Sequence, residues 1–349
     1  MSDRLRAVVA TPLNEELCAL IERLEPRIDL VRDQSLLPPQ RASGDHEGDP
    51  SFTRTAEQQA RFEQLLDSAE ALFGLPGQSG TALRRTVRAN AKLRWVHTTP
   101  AGGGGQVRSA ELTEEELQRV AFSTSAGAHA EPLAEFAVLG LLAGMKDLPR
   151  LEADKARHAW GPRRSVGTLG GRTVVVVGLG NIGRATARKL SLLGMRVIGV
   201  HRRHVEAEGV EKIVPVEQFA EAVSEADAVV LTLPGTDATK SMLSRDVLAH
   251  FRAGTLFVNV GRGTTVDEVA LVEALQDGRI GYAALDVFAV EPLPQTSPIW
   301  DMPNVLVSPH TVAQTLDEER YIAELFAANA TRLLDGEPLV NRVDTVEFY

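Results

Sequence analysis

Cysteine is nearly missing: Cys18 is the single thiol in 349 residues. An intrachain disulfide is therefore excluded, and so is a zinc cage built on thiolates; no metal site is expected. Cys18 reads instead as a buried helix residue. Long hydrophobic runs are missing too, since nothing approaches the roughly 18 apolar residues of a membrane span. Residues 1–6 carry no apolar signal-peptide stretch, so a cytoplasmic location is expected. Positive charge is in deficit, with 37 Lys and Arg against 47 Asp and Glu and a net charge of −10. Such a chain repels phosphate backbones, and nucleic acid is not an expected partner. What is present is globular: 44% hydrophobic and 24% charged residues, with 29 glycines that gather at turns and follow no collagen period. At roughly 150 residues per domain, the length predicts two domains.

Short apolar runs alternate with helix-period segments. Early strands are expected at 5–10, 69–73, 93–97 and 120–123, and helices at 12–24, 56–67, 81–90 and 113–119. Thr11-Pro12 reads as a helix start, because proline is pre-set for a first turn. The polar stretch 33–55, with Pro38-Pro39, reads as a loop. Pro132 opens an apolar helix through Leu133, Phe136, Leu139 and Leu142, apolar enough to be buried between elements or subunits. A second unit follows, with strands at 173–177, 196–200, 228–231, 255–260, 280–285 and 305–308. An amphipathic helix over 316–334 ends at Asp335-Gly336, a stop signal. The βα rhythm predicts an α/β fold with parallel sheets covered on both faces.

The strongest local signal is Gly178-Leu179-Gly180-Asn181-Ile182-Gly183, which follows a valine-rich strand and opens a helix. Strand, tight turn and helix N-terminus form the context in which this pattern cradles a dinucleotide pyrophosphate. The next strand ends in Val200-His201-Arg202-Arg203, where an NAD site usually places an acid on the ribose. Arginine there can pair with a 2′-phosphate, so the pattern points to NADP; Glu206 remains the alternative ribose partner.

Four ionisable residues sit at the C-terminal ends of later strands: Arg262, Asp286, Glu291 and His310. Ligands of doubly wound sheets bind at those ends. An imidazole passes protons near neutral pH, a carboxylate beside it fixes the tautomer, and a guanidinium holds a substrate carboxylate. Together they suit reduction of a 2-keto acid beside a nicotinamide.

These motifs in this order, with Val258–Gly263 (VNVGRG), Ala284–Pro294 and Ser308-Pro309-His310, resemble the D-isomer-specific 2-hydroxyacid dehydrogenase family over about residues 125–343. Leu93-Arg94-Trp95-Val96-His97 and the following Ala101-Gly102-Gly103 resemble the family's strand and substrate loop. The resemblance implies a Rossmann nucleotide domain at 127–312 and a discontinuous, flavodoxin-like substrate domain at 1–126 and 313–349, with a cleft between them. It implies His310 as the proton donor, Glu291 as its partner and Arg262 on the substrate carboxylate, with backbone N–H groups of Ala101, Gly102 and Gly103 on its other side. The expected cofactor residues are Gly178, Gly180, Asn181, Ile182, Gly183, His201, Arg202, Arg203, Leu233, Pro234, Val260, Gly261 and Asp286, the last near the nicotinamide carboxamide. Two departures stand out. The substrate loop runs on in glycine where the family usually has Asp or Asn, and Val312-Ala313 follow where it usually has Ala then Gly.

The expected activity is reversible hydride transfer between NADP(H), or alternatively NAD(H), and a small 2-keto or D-2-hydroxy acid, glyoxylate and hydroxypyruvate being the first to test. The alternatives are a dinucleotide-sensing, corepressor-like binding protein and a specialised formate or phosphonate dehydrogenase. A homodimer through the helix at 132–145 and the segment at 150–160 is expected, and no regulatory domain after Tyr349.

Overall fold

The computed structural model describes residues 4–42, 44–203, 205–315, 317–346 and 348. Its chain divides into two compact units, one formed by Met1–Ala128 with Gln314–Tyr349 and the other by His129–Ala313. Each is built on one parallel sheet, five-stranded in the first and seven-stranded in the second. Among the described residues, no helix is long and apolar enough to cross a membrane.

In the first unit the strands are β1 (Leu5–Val9), β2 (Ile28–Val31), β3 (Ala71–Phe73), β4 (Trp95–Thr98) and β5 (Ala121–Thr124), in the order β2-β1-β3-β4-β5. This is the flavodoxin-like order. Strand β2 escapes the sequence reading. It is an edge strand whose residues alternate between buried and half-buried, with Asp29 inside it, so no continuous apolar run announces it. The first helix, Glu15–Leu24, starts later than the Thr11-Pro12 signal suggests, because Asn14 is the cap and its side chain accepts from the Leu17 N–H. Cys18 on that helix is fully buried, and burial pushes its thiol up to about 12, so it stays protonated and inert.

The C-terminal helix Glu318–Leu334 packs on this sheet; the expected start at Leu316 lies outside the described residues. Its fully buried Phe326 stacks on Trp95 at 4.6 Å and meets Phe73 edge-on at 5.2 Å. Beside them His97 is enclosed completely, its two ring nitrogens paired with Ser123 Oγ at 2.8 Å and Ser125 Oγ at 3.1 Å. Burial pushes it down to about 3, so this imidazole remains neutral and serves packing.

The second unit contains β6 (Thr173–Val177), β7 (Arg196–Val200), β8 (Lys212–Val214), β9 (Ala228–Leu231), β10 (Thr255–Asn259), β11 (Ile280–Leu285) and β12 (Val305–Val307). Their order, β12-β11-β10-β9-β6-β7-β8, is the doubly wound one, with its switch between β6 and β9. Strand β8, another edge strand missed in the sequence, has only three residues, one of them buried. The apolar helix runs over Ala130–Met145, with Pro132 inside its first turn rather than opening it. Because all seven strands are parallel, the residues following β6, β7, β9, β10, β11 and β12 share one edge.

Candidate active site

The glycine turn after β6 is shaped for close backbone approach. Gly178 has φ = 93°, the left-handed region that disfavours side chains. A Cβ on Gly183 would lie 1.8 Å from the Gly178 carbonyl oxygen, so only glycine lets the helix Asn181–Leu192 pack on the strand. A Cβ on Gly180 would meet nothing within 4 Å, so its surroundings are open where a phosphate would approach. No side chain caps that helix, and the first-turn N–H groups of Asn181, Ile182 and Gly183 have no partner within the helix. These features fit a dinucleotide pyrophosphate.

Neighbouring turns brace this loop. Thr232, absent from the sequence reading, donates its hydroxyl towards Gly178 O at 2.8 Å. Leu233-Pro234 follow it, and a Cβ on Gly261 would fall 2.5 Å from Leu233 O, so Val260-Gly261 and Leu233-Pro234 abut. His201 Nδ1 accepts from the Leu179 N–H at 3.2 Å, which assigns its proton to Nε2. Burial lowers the pKa of His201, and the charges of Arg202, Arg184 and Arg203 lower it further. Three guanidinium groups thus act on one spot at the end of β7. Arg202 and Arg203 are both exposed.

At the ends of β10, β11 and β12 the ionisable residues converge in part. His310 Nδ1 lies 2.7 Å from Glu291 Oε2, and Glu291 Oε1 accepts from the Phe288 N–H at 2.9 Å. His310 Nε2 makes no hydrogen bond among the described residues. Burial pushes the Glu291 carboxyl up. The His310 hydrogen bond, the Phe288 amide and the positive charges of His310 and Arg262 outweigh it, and the group ends below the usual carboxylate range. Arg262 is exposed and folds onto its own strand end, with Nη1 donating to Gly261 O at 2.7 Å. Its backbone is fixed by buried neighbours, Asn259 Nδ2 and Thr265 Oγ1 both donating to Arg262 O. Asp286 is buried, and its Oδ1 accepts from Ser308 Oγ at 2.6 Å and from the amides of Thr311 and Val312.

In the first unit, the turn after β4 leaves the Ala101 and Gly102 N–H groups without a backbone acceptor among the described residues, whereas Gly103 N–H donates to Pro100 O at 3.2 Å. Gly104 and Gly105 are helical, opening Gly104–Ser109 rather than extending a loop. Among the described residues no group of His, Cys, Asp and Glu is arranged to hold a metal ion.

The profile of the D-isomer specific 2-hydroxyacid dehydrogenase NAD-binding domain matches residues 138–312. A D-3-phosphoglycerate dehydrogenase of Methanocaldococcus jannaschii is 31% identical over 287 residues, 81% of this chain and 53% of that protein. The chain thus spans about half the length of that relative. A glyoxylate reductase of Korarchaeum cryptofilum is 32% identical over 244 residues, 67% of this chain and 72% of that protein. Among solved structures, a D-isomer specific 2-hydroxyacid dehydrogenase from Xanthobacter autotrophicus, determined with NADPH and MES, superimposes with a TM-score of 0.74 at 28% identity, covering 99% of this chain and 100% of that one. The seven-stranded unit is therefore an NAD(P)-binding domain of the doubly wound class. The chain belongs to the D-isomer specific 2-hydroxyacid dehydrogenase family, whose members are NAD(P)-dependent enzymes.

Proposed function

We propose that this protein reduces a small 2-keto acid to the D-2-hydroxy acid with NADPH, reversibly, and that His310 is the acid/base. The observation that carries this reading is the His310–Glu291 pair, joined through Nδ1 at 2.7 Å with Nε2 unengaged. The bound cofactor supplies the hydride. On the chain's side, protonated His310 gives its Nε2 proton to the substrate carbonyl oxygen, while Glu291 holds the other ring nitrogen and stabilises the imidazolium. Arg262 unfolds from Gly261 O to pair with the substrate carboxylate, a charge-assisted exchange that favours the anion over a neutral carbonyl. Ala101 and Gly102 offer free amides for the same kind of group. Arg202 and Arg203 hold the 2′-phosphate.

Glyoxylate, hydroxypyruvate and pyruvate assayed with NADPH and with NADH test the reading, with turnover followed by loss of reduced cofactor. Turnover of at least one keto acid is expected. Tight NADPH binding with no turnover of any would favour a dinucleotide-sensing protein instead. The protein is further proposed to be a two-fold homodimer, because Leu139 and Leu151 are each 51% exposed on the helices after the first unit and Trp160, in the irregular chain beyond them, is fully exposed.

A further inference from the structure

His310 stands in a left-handed backbone conformation, φ = 56°, which is strained for a non-glycine residue and persists only where the surroundings impose it. One oxygen atom bridges the chain on the two sides of this residue. Asp286 Oδ1 accepts from Ser308 Oγ at 2.6 Å, from Thr311 N at 3.1 Å and from Val312 N at 3.3 Å, so it collects donors from both sides of His310. Asp286 is only 1% exposed and Ser308 only 9%. The acceptor is anchored in turn, since the Asp286 N–H donates to Asn259 O at 3.1 Å. No cation pairs with this carboxylate among the described residues. A buried carboxylate without a counter-ion depends on its hydrogen bonds, and bonds to an ionised acceptor are the strong ones.

Two of the three donors are backbone amides. Ser308 Oγ is the only one supplied by a side chain, and it is the shortest of the three contacts. We infer that Ser308 is a positioning residue: its hydroxyl fixes the Asp286 carboxylate, which through the Thr311 and Val312 amides fixes the turn that aims the His310 ring at Glu291. This inference rests on the reading of His310 as the acid/base. Pro309 between them transmits the constraint, because its fixed φ removes one degree of freedom from the link between hydroxyl and imidazole. Without the hydroxyl, the carboxylate rotates to recover a donor and the turn relaxes. A displacement of the acid by about 1 Å is enough to cost up to roughly 10²-fold in rate.

The test uses the full chain with Ser308→Ala and Ser308→Thr. The alanine variant is expected to lose about tenfold or more in kcat with little change in the KM of the keto acid or the Kd of NADPH, and the threonine variant to recover most of the loss. Independently of turnover, imidazole NMR of the cofactor-free protein is read at one neutral pH, with the His310 signal assigned by its absence in His310→Gln. That signal is expected to move in Ser308→Ala and to return towards its parental position in Ser308→Thr. An alanine variant with parental kcat and an unmoved His310 signal overturns the inference, as does a threonine variant as impaired as alanine. If the parent turns over no keto acid, the acid/base reading fails, and the NMR comparison alone still decides whether Ser308 sets the His310 ring.

Discussion

Glu291 divides its carboxylate between two tasks: Oε2 meets His310 Nδ1 at 2.7 Å, and Oε1 accepts from the Phe288 N–H at 2.9 Å. The second bond holds the side chain within its own loop, so the first is made by a pre-positioned acceptor. That loop is itself tied down, the Ala289 N–H donating to Glu268 Oε2 at 2.8 Å. The Glu291 side of the pair is therefore held by one local bond and by one that reaches 21 positions back to Glu268.

Two substitutions separate its roles. His310→Ala is expected to lower kcat by about 10²-fold or more while NADPH still binds, because only the proton donor is lost. Glu291→Gln keeps a hydrogen-bond acceptor but removes the charge opposite the imidazolium. Since the Glu291 carboxyl titrates below the ordinary range, its charge is present at neutral pH and is lost only as pH falls through that lowered value. In the glutamine variant the imidazolium has lost its counter-charge, so the limb of the kcat/KM profile set by imidazole protonation moves to lower pH. Profiles that superimpose would show that the two groups are not coupled.

The C-terminal helix gives a stability prediction. Phe326 is fully buried between Trp95 and Phe73, so Phe326→Ala removes a ring from the core of the first unit. The expected loss is about 3–5 kcal/mol, read as a lower urea midpoint by tryptophan fluorescence and circular dichroism. A midpoint equal to the parent's would contradict the packing of Glu318–Leu334 on this sheet.

The local features were the legible ones. Gly178–Gly183 (GLGNIG) announces itself because strand, turn and helix are contiguous, and His310, Glu291, Asp286 and Arg262 stand out as ionisable residues directly after apolar strands. The strands β2 and β8 were not legible, since they have only four and three residues and each contains a charged one, Asp29 and Lys212, so neither forms an apolar run. The braces were hidden for a different reason. Thr232 reaches Gly178 across 54 positions and Ser308 reaches Asp286 across 22, and a lone hydroxyl carries no periodicity to mark it. The amide of Gly103 looked as available as its neighbours until the turn closed on Pro100 O.

Assembly offers a third check. Burying Leu139, Leu151 and Trp160, all half-exposed or more, would remove a large apolar area from water at about 25 cal/mol per Å². A dimer mass in light scattering at micromolar concentration is expected, with Trp160→Ser weakening it. A monomer mass for the parent would remove this face from consideration.

The cofactor prediction is the sharpest. Arg202 and Arg203 stand at the end of β7 beside a His201 that burial and three nearby guanidinium charges hold neutral, so the local field is positive where an acid would otherwise read the ribose. A 2′-phosphate carries close to two negative charges, and each charge-assisted hydrogen bond to it contributes roughly 1.5–3 kcal/mol. Both arginines are exposed, so solvent and salt screening reduce that figure. A preference for NADPH over NADH of about one to two powers of ten in kcat/KM should remain, and it should shrink as ionic strength rises. Arg202→Ala/Arg203→Ala should remove most of the preference and leave NADH efficiency within about twofold, because neither arginine belongs to the His310–Glu291 pair. His201 keeps its Nδ1 on the Leu179 amide in that variant, so the glycine turn retains its shape. The comparison is kcat/KM for both cofactors, at low and high salt, in the parent and the double variant. Equal efficiency in the parent, or a preference for NADH, would place the arginines in solvent and transfer the ribose to Glu206.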